Sequence, residues 1–111
     1  MKLVLYVMNK TEYLEEFLHE LNENGVKGAT IISSTGMART LARNDDMNFI
    51  GSLKAVFANP RKESNVILIA LKDELVPTVY KVIDNVCGNL NEPDSGIAFT
   101  IPIEDVVGCK F

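Results

Sequence analysis

Apolar residues along the chain fall either into short unbroken runs or into stripes with helical spacing. The unbroken runs are rich in β-forming residues and predict four strands, at Leu3–Met8, Ala29–Ser34, Val66–Leu71 and Ile97–Ile101. Two other segments predict helices, because their apolar residues recur on one helical face: Leu14, Phe17, Leu18 and Leu21, then Val76, Val79, Tyr80, Ile83 and Val86.

Polar and small residues mark where these elements begin and end. Asn9 is predicted to cap the first helix, with Glu12 as its reciprocal partner, and Gly25 is predicted to end that helix as a left-handed cap. Asp73 begins the second helix and Gly88 ends it. Pro102 is expected to end the pairing of the last strand, and residues 104–107 are expected to form one helical turn.

The resulting order is β-α-β-β-α-β, which is the pattern of the ferredoxin-like split βαβ fold. This α+β fold has an antiparallel four-stranded sheet with two helices on one face. Strands one and three are apolar at consecutive residues, so both faces of the sheet require burial. A bare apolar face of this size would be unusual in a soluble monomer. We therefore expect either oligomerisation through that face or a monomer whose long connection folds over it.

That long connection runs from Gly36 to Ser64, between strands two and three. Connections in small domains usually have about 4–6 residues, and much longer ones are usually functional or disordered. This one contains apolar residues and both charge signs, and Phe49, Ile50, Leu53, Val56 and Phe57 predict a short helix within it. We interpret it as the adjustable part of a binding or signalling protein.

Composition narrows the function by exclusion. The chain has 111 residues, which suits one domain over residues 1–111. A net charge of −4 opposes nucleic-acid binding, and no apolar run reaches the about 20 residues that span a bilayer, so we expect no membrane-embedded segment. The two cysteines, Cys87 and Cys109, lack a CxxC spacing and are expected to be reduced thiols in a cytoplasmic protein. One histidine, no nucleophile motif and no metal-ligand spacing indicate that it is not an enzyme.

Three segments resemble the PII signal-transduction family. Residues 24–30 (Asn-Gly-Val-Lys-Gly-Ala-Thr) resemble the family's entry into strand two, residues 35–39 resemble the base of its T-loop, and residues 94–105 resemble its B-loop and last strand. The resemblance implies a single PII-like domain whose residues 36–64 correspond to the T-loop. It also implies a homotrimer, an adenine nucleotide as the candidate ligand in clefts between subunits, and a regulatory partner that is a transporter or an enzyme.

The same resemblance implies a set of ligand-binding residues: Thr30 near the adenine, Thr35, Gly36 and Arg39 at the T-loop base, Gly88, Ser95 and Gly96 in the B-loop, and Lys110 at the C-terminus. Glycines in such a loop allow backbone N–H groups to approach a phosphate. No metal site and no firmly assigned cofactor follow from it.

The chain departs from the family pattern at three positions. Thr40 replaces a glutamine, Ile97 replaces the B-loop lysine, and Gly108 replaces a basic residue. Phosphates are normally bound by Arg, Lys or a metal ion, so these changes favour a less charged ligand or a protein partner. Two hypotheses follow: a PII-like trimer that relays binding of a small anion through residues 36–64, or a trimeric scaffold whose ligand site has degenerated.

Overall fold

The computed structural model describes residues 1–37, 40–41, 63–93 and 95–108. Strands β1 (Lys2–Met8), β2 (Thr30–Ser34), β3 (Ser64–Leu71) and β4 (Gly96–Pro102) form one sheet in the order β2-β3-β1-β4. Every neighbouring pair is antiparallel. Helices α1 (Leu14–Glu23) and α2 (Val76–Cys87) each follow a single 3₁₀ turn, at Thr11–Tyr13 and Asp73–Leu75. The predicted α+β ferredoxin-like fold is confirmed, and the predicted short helix at 49–57 lies outside the described residues.

The core lies between the two helices and one face of the sheet. Alternate residues of β1 and β3 are buried there, and the register places Val4 opposite Ile69 and Tyr6 opposite Ile67. Phe17 of α1 packs its ring edge against Tyr6, with ring centroids 5.4 Å apart. This geometry is the favoured one for an aromatic pair and fixes α1 over the centre of the sheet.

Of the two caps predicted for α1, the one at the N-terminus is wrong and the one at the C-terminus is confirmed. The predicted cap at Asn9 and its capping box are wrong: Tyr13 is the N-cap residue and makes no side-chain cap bond. The Asn9 side chain instead accepts a hydrogen bond from Ser64 Oγ at 2.7 Å. The predicted left-handed cap at Gly25 is confirmed, with φ of 92°. Val26 N donates to Leu21 O at 2.9 Å, which completes a Schellman motif.

Helix α2 buries a wider face than its predicted stripe. Val79 and Ile83 are buried as expected, whereas Val76, Tyr80 and Val86 are only partly buried. Val82 and Cys87 were not in the predicted stripe, yet they are 4% and 3% exposed. The reason is that α2 packs against α1 as well as against the sheet, so its buried face spans two neighbours.

The segment after β4 is not the helical turn predicted at 104–107. Only a few residues separate Pro102 from Gly108, too few to recover the cost of helix nucleation. The chain instead stays beside β1, where Ile103 N donates to Met1 O at 3.2 Å. The Met1 ammonium pairs with Asp73 at 2.8 Å, and this hydrogen bond lowers the pKa of the Asp73 carboxyl.

The sheet surface opposite the helices, here called the outer face, is apolar across all four strands. Successive cross-strand rows contain Ala70, Leu3 and Ile101, then Leu68, Leu5 and Phe99 beside Thr30, then Ile32, Val66, Val7 and Ile97. Its edge residues are well exposed, at 47% for Ile32 and 45% for Phe99. Burial of β1 and β3 on both faces is therefore not achieved by the described part of a single chain.

Two tyrosine hydroxyls offer a matched test of core packing. Tyr6 is fully buried and its hydroxyl has no hydrogen-bond partner among the described residues, although the Cys87 thiol lies nearby. Burial, reinforced by that thiol, raises the pKa of Tyr6. The Tyr80 hydroxyl is 2.7 Å from Thr100 Oγ1 and is hydrogen-bonded to it.

We predict that Tyr6→Phe leaves the free energy of unfolding unchanged or raises it by up to about 1 kcal/mol, because it removes an unsatisfied polar group. Tyr80→Phe, the control, should lower it by about 0.5–1 kcal/mol because it removes a formed bond. Denaturant unfolding at one fixed protein concentration measures both. A loss above about 1 kcal/mol in Tyr6→Phe would mean that its hydroxyl is bonded.

Candidate functional site

The residues implied as ligand-binding lie in two separate regions of the sheet. One region is formed by the strand ends at Met8, Ser34, Ser64 and Gly96, and it is here called the Gly96 end. The other region lies toward the opposite ends of the strands, at Lys2, Leu71 and Pro102, and it is here called the Leu71 end. Thr35, Gly36, Gly88, Ser95 and Gly96 belong to the Gly96 end, whereas Thr30 faces the Leu71 end. Arg39 and Lys110 lie outside the described residues.

Hydrogen bonds at the Gly96 end tie three strands together where the long connection begins and returns. Ser34 Oγ donates to Ser64 O at 3.1 Å, and Ser64 Oγ donates to Asn9 Oδ1 at 2.7 Å. Both entry points of the 36–63 segment are thereby fixed to the residue that follows β1. A displacement of Asn9 would therefore reach both ends of that segment through two hydrogen bonds.

Both hydrogen-bond donors of Thr40 are bonded to a nearby backbone carbonyl. Its N–H and its hydroxyl both donate to Gly36 O, each at 3.0 Å. This bond from a side chain to the carbonyl four residues earlier is a common local use of threonine. The hydroxyl therefore closes a turn at the position where the family resemblance implies a ligand-holding glutamine.

The glycines at the Gly96 end have structural reasons of their own. Gly88 ends α2 with φ of 86°, and Gly96 begins β4 with φ of 119°. A Cβ at position 96 would clash with the carbonyl oxygen of Val7 on the paired strand. Glycine at 96 is thus required by strand pairing before any ligand is considered.

Ser95, which precedes this glycine, is the one buried polar residue among the described residues. It is 1% exposed, and its hydroxyl has no hydrogen-bond partner in the described part of the chain. Buried polar groups nearly always have a partner, and an exception in a native fold calls for a specific explanation. A bound water, ion or ligand atom would supply one.

A cavity of about 770 Å³ opens beside the Leu71 end, where β2 is too short to cover β3. It is lined by residues 25–30 and by Leu3, Leu68, Ala70, Leu71, Lys72, Leu75 and Val106. Its floor is the apolar outer face, and Thr30 supplies a hydroxyl at its rim. Of its two lysines, Lys27 already donates to Asn22 O at 2.9 Å.

Thr30 is distant from the Gly96 end within one chain. Thr30 lies on the edge strand β2 and pairs with Leu68, which in turn pairs with Leu5. Gly96 lies on the opposite edge strand, β4, and pairs with Met8 of β1. Three residues along a strand span about 10 Å, and three strand spacings span about 14 Å. A ligand too small to span this distance could not contact both regions of one chain.

Lys10 is the residue at the Gly96 end that the sequence patterns did not single out. Its Nζ lies 4.0 Å from the position that a Cβ on Gly88 would occupy. The two residues are far apart in sequence, so no local motif connects them. The only available signal was topological, because Lys10 follows β1 at the sheet edge where β4 begins.

The described residues contain no candidate metal cluster, and the cysteine among them, Cys87, is buried. They contain no cluster of three or more His, Cys, Asp or Glu side chains that could hold a metal ion. Burial raises the pKa of the Cys87 thiol, so it is protonated at neutral pH and is a poor nucleophile. No helix among them is long and apolar enough to cross a bilayer.

Comparison with known proteins gives one family and no curated relative. The family model described as Nitrogen regulatory protein P-II matches residues 1–110. The search of curated proteins found no match. The family match spans both ends of the sheet, so the cavity and the Gly96 end lie within the matched region.

Two glycine substitutions test whether strand pairing requires glycine at position 96. We predict that Gly96→Ala lowers the free energy of unfolding by about 2–4 kcal/mol, because it forces both an unfavourable φ and a clash with Val7. Gly28→Ala is the control, since nothing lies within 4 Å of its Cβ position. It should change stability by no more than about 1 kcal/mol. Thermal and urea unfolding measure both, and equal losses would contradict the pairing argument.

Proposed function

The chain belongs to the nitrogen regulatory protein P-II family, and from this premise we propose that it is a homotrimeric regulatory protein. It binds a small anionic ligand, with an adenine nucleotide as the candidate, in clefts between subunits. It then signals to a partner protein, a transporter or an enzyme, through residues 36–64. Proteins of this family are regulatory, and we propose that this chain likewise has no catalytic activity.

The outer face supports assembly. Its apolar rows cross all four strands and receive no cover from the described residues. Full burial of one Leu, Val or Ile side chain contributes roughly 1.5–3 kcal/mol, so covering several of these residues supplies a large driving force. Contact between copies of the chain is the simplest way to provide that cover.

The observation that carries the intersubunit site is the separation of its two halves. Thr30 and the cavity lie toward one end of the sheet, and Gly88, Ser95 and Gly96 lie at the other. Packing of neighbouring sheets through the outer face in a ring can bring the Leu71 end of one subunit against the Gly96 end of the next. Such a cleft pairs an apolar half with a polar half.

The residues of those two halves support a particular ligand class. The floor of Leu3, Leu68 and Ala70 suits a flat apolar ring, and Thr30 can accept or donate one hydrogen bond to it. The glycine-bounded loop at the other end suits an anionic group. Ile97 and Gly108 leave the site with few cations, which favours a ligand of modest charge over a triphosphate.

A second candidate is a trimeric interaction module with a degenerate ligand site. The observation that favours it is Thr40, whose hydroxyl is occupied by Gly36 O and stands where a ligand-holding glutamine is implied. Under this reading the outer face still assembles the chain, but no nucleotide changes its state. We also propose a cytoplasmic location, supported by the buried free thiol of Cys87.

We predict that the chain has the mass of a trimer by light scattering at micromolar concentration. Phe99→Lys places a charge in the outer face and should shift the mass toward that of one subunit. Asn85→Lys adds the same charge at an exposed position of α2 and should leave the trimer intact. A single-subunit mass for the unmodified chain would reject the assembly.

A ligand test uses thermal shift with AMP, ADP, ATP and cyclic AMP. A nucleotide present at 100 times its dissociation constant should add about 2.7 kcal/mol of stability. Thr30→Trp fills the cavity and Thr35→Trp obstructs the Gly96 end, so each variant alone should lose the response. Mixed trimers of the two variants should regain part of it, because some clefts combine two unobstructed halves.

The outcomes separate the two candidate functions. No response of the unmodified trimer to any of these nucleotides would favour the interaction module. A response that persists in the Thr30→Trp and Thr35→Trp trimers would place the ligand elsewhere. A response lost in both variants and not recovered on mixing would contradict a site shared between subunits.

A further inference from the structure

We propose that Asn9 is a two-position switch between the start of β3 and the start of α1. In the observed position, its side chain accepts a hydrogen bond from Ser64. In the other position, it would cap the turn that leads into α1, and the bond from Ser64 would be broken. The exchange lies within one chain, and only its input, a partner that acts on residues 36–64, rests on the proposed function.

The observed position ties Asn9 to the strand that follows the long connection. Ser64 Oγ donates to Asn9 Oδ1 at 2.7 Å, although the two residues are 55 positions apart in the chain. Ser64 is also bonded to β2, because Ser34 Oγ donates to Ser64 O at 3.1 Å. A displacement of the start of β3 would therefore act directly on the Asn9 side chain.

The start of α1 lacks the cap that Asn9 could supply. The N-cap residues of the 3₁₀ turn and of α1 make no side-chain cap bond. The N–H groups of Thr11 and Glu12 have no hydrogen-bond acceptor among the described residues. With Asn9 as the N-cap residue, these two N–H groups would occupy the second and third helical positions, which are the ones that an N-cap oxygen accepts.

The two positions of Asn9 are close in free energy. A neutral side-chain hydrogen bond and a helix N-cap make contributions of the same order to stability. While Asn9 Oδ1 accepts the bond from Ser64, Thr11 and Glu12 remain without an acceptor, so the observed rotamer does not serve both partners. A small displacement of Ser64 is then enough to shift the population from one position to the other.

The exchange would connect the sheet to the layer of helices. Ser64 begins β3, where residues 36–63 return to the sheet, and Thr11 begins the turn that leads into α1. Capping would order this turn and the first turn of α1, where Glu12, Glu15 and Glu16 are exposed. The order of this acidic surface would thus depend on the position of Ser64.

The test is the rate of amide hydrogen exchange at Thr11 and Glu12, measured by NMR on the full chain. Ser64→Ala removes the hydroxyl donor, so Asn9 should cap the turn and slow this exchange about fivefold. Ser64→Thr is the control, because it keeps a hydroxyl and should exchange like the unmodified chain. Ser64→Val also lacks the hydroxyl but favours the strand, so it should reproduce the slowing even if the alanine variant folds poorly.

A second substitution, Asn9→Ala, identifies the group responsible for the slowing. In the double variant with Ser64→Ala the slowing should disappear, because no side chain at position 9 can then cap the turn. Slowing that persists in the double variant would overturn the proposal, since another group would be the cap. Unchanged or faster exchange in both Ser64→Ala and Ser64→Val would also overturn it, since loss of the Ser64 bond would then not move Asn9 to the turn.

The switch and the proposed function can fail separately. A trimer that responds to a nucleotide, with unchanged exchange at Thr11 and Glu12 in Ser64→Ala, would support the proposed function and overturn the switch. Slowed exchange that requires Asn9, in a chain with single-subunit mass and no nucleotide response, would support the switch and reject the proposed function.

Discussion

The position of β1 between β3 and β4 is the constraint on which the rest of the molecule depends. Both of its neighbours are antiparallel, and its residues are apolar on both faces. One face meets α1 and α2 and is fully buried, with Val4, Tyr6 and Met8 at 0% exposure. The other face carries Leu3, Leu5 and Val7 against apolar residues of three strands. The pairing that builds the core therefore also leaves an apolar surface exposed to water, and this is the surface that the proposed assembly would bury.

The same register determines where chemistry can occur. Because Met8 pairs with Gly96 and Ser34 pairs with Ser64, the residues that follow β1, enter β4 and open the long connection all meet at one edge. The bonds from Ser34 to Ser64 and from Ser64 to Asn9 join these loops directly. On the proposed function, a ligand bound at the Gly96 end lies close to this chain of bonds. Binding energy there has a short physical route to residues 36–64, and no long-range relay through the core is needed.

Sequence patterns predicted the fold well because it rests on strong signals. Four apolar runs and two helical stripes gave the correct element order, and Gly25 and Gly88 marked both helix ends. The errors at Asn9 and Cys87 share one cause, which is that tertiary partners outcompete local ones. Asn9 is a good helix cap by itself but accepts a hydrogen bond from Ser64 on the neighbouring strand, and Cys87 is buried on a helix that packs against α1 as well as the sheet. The implied site residues were harder, since sequence proximity could not reveal that Thr30 and Gly96 lie in different regions of one chain.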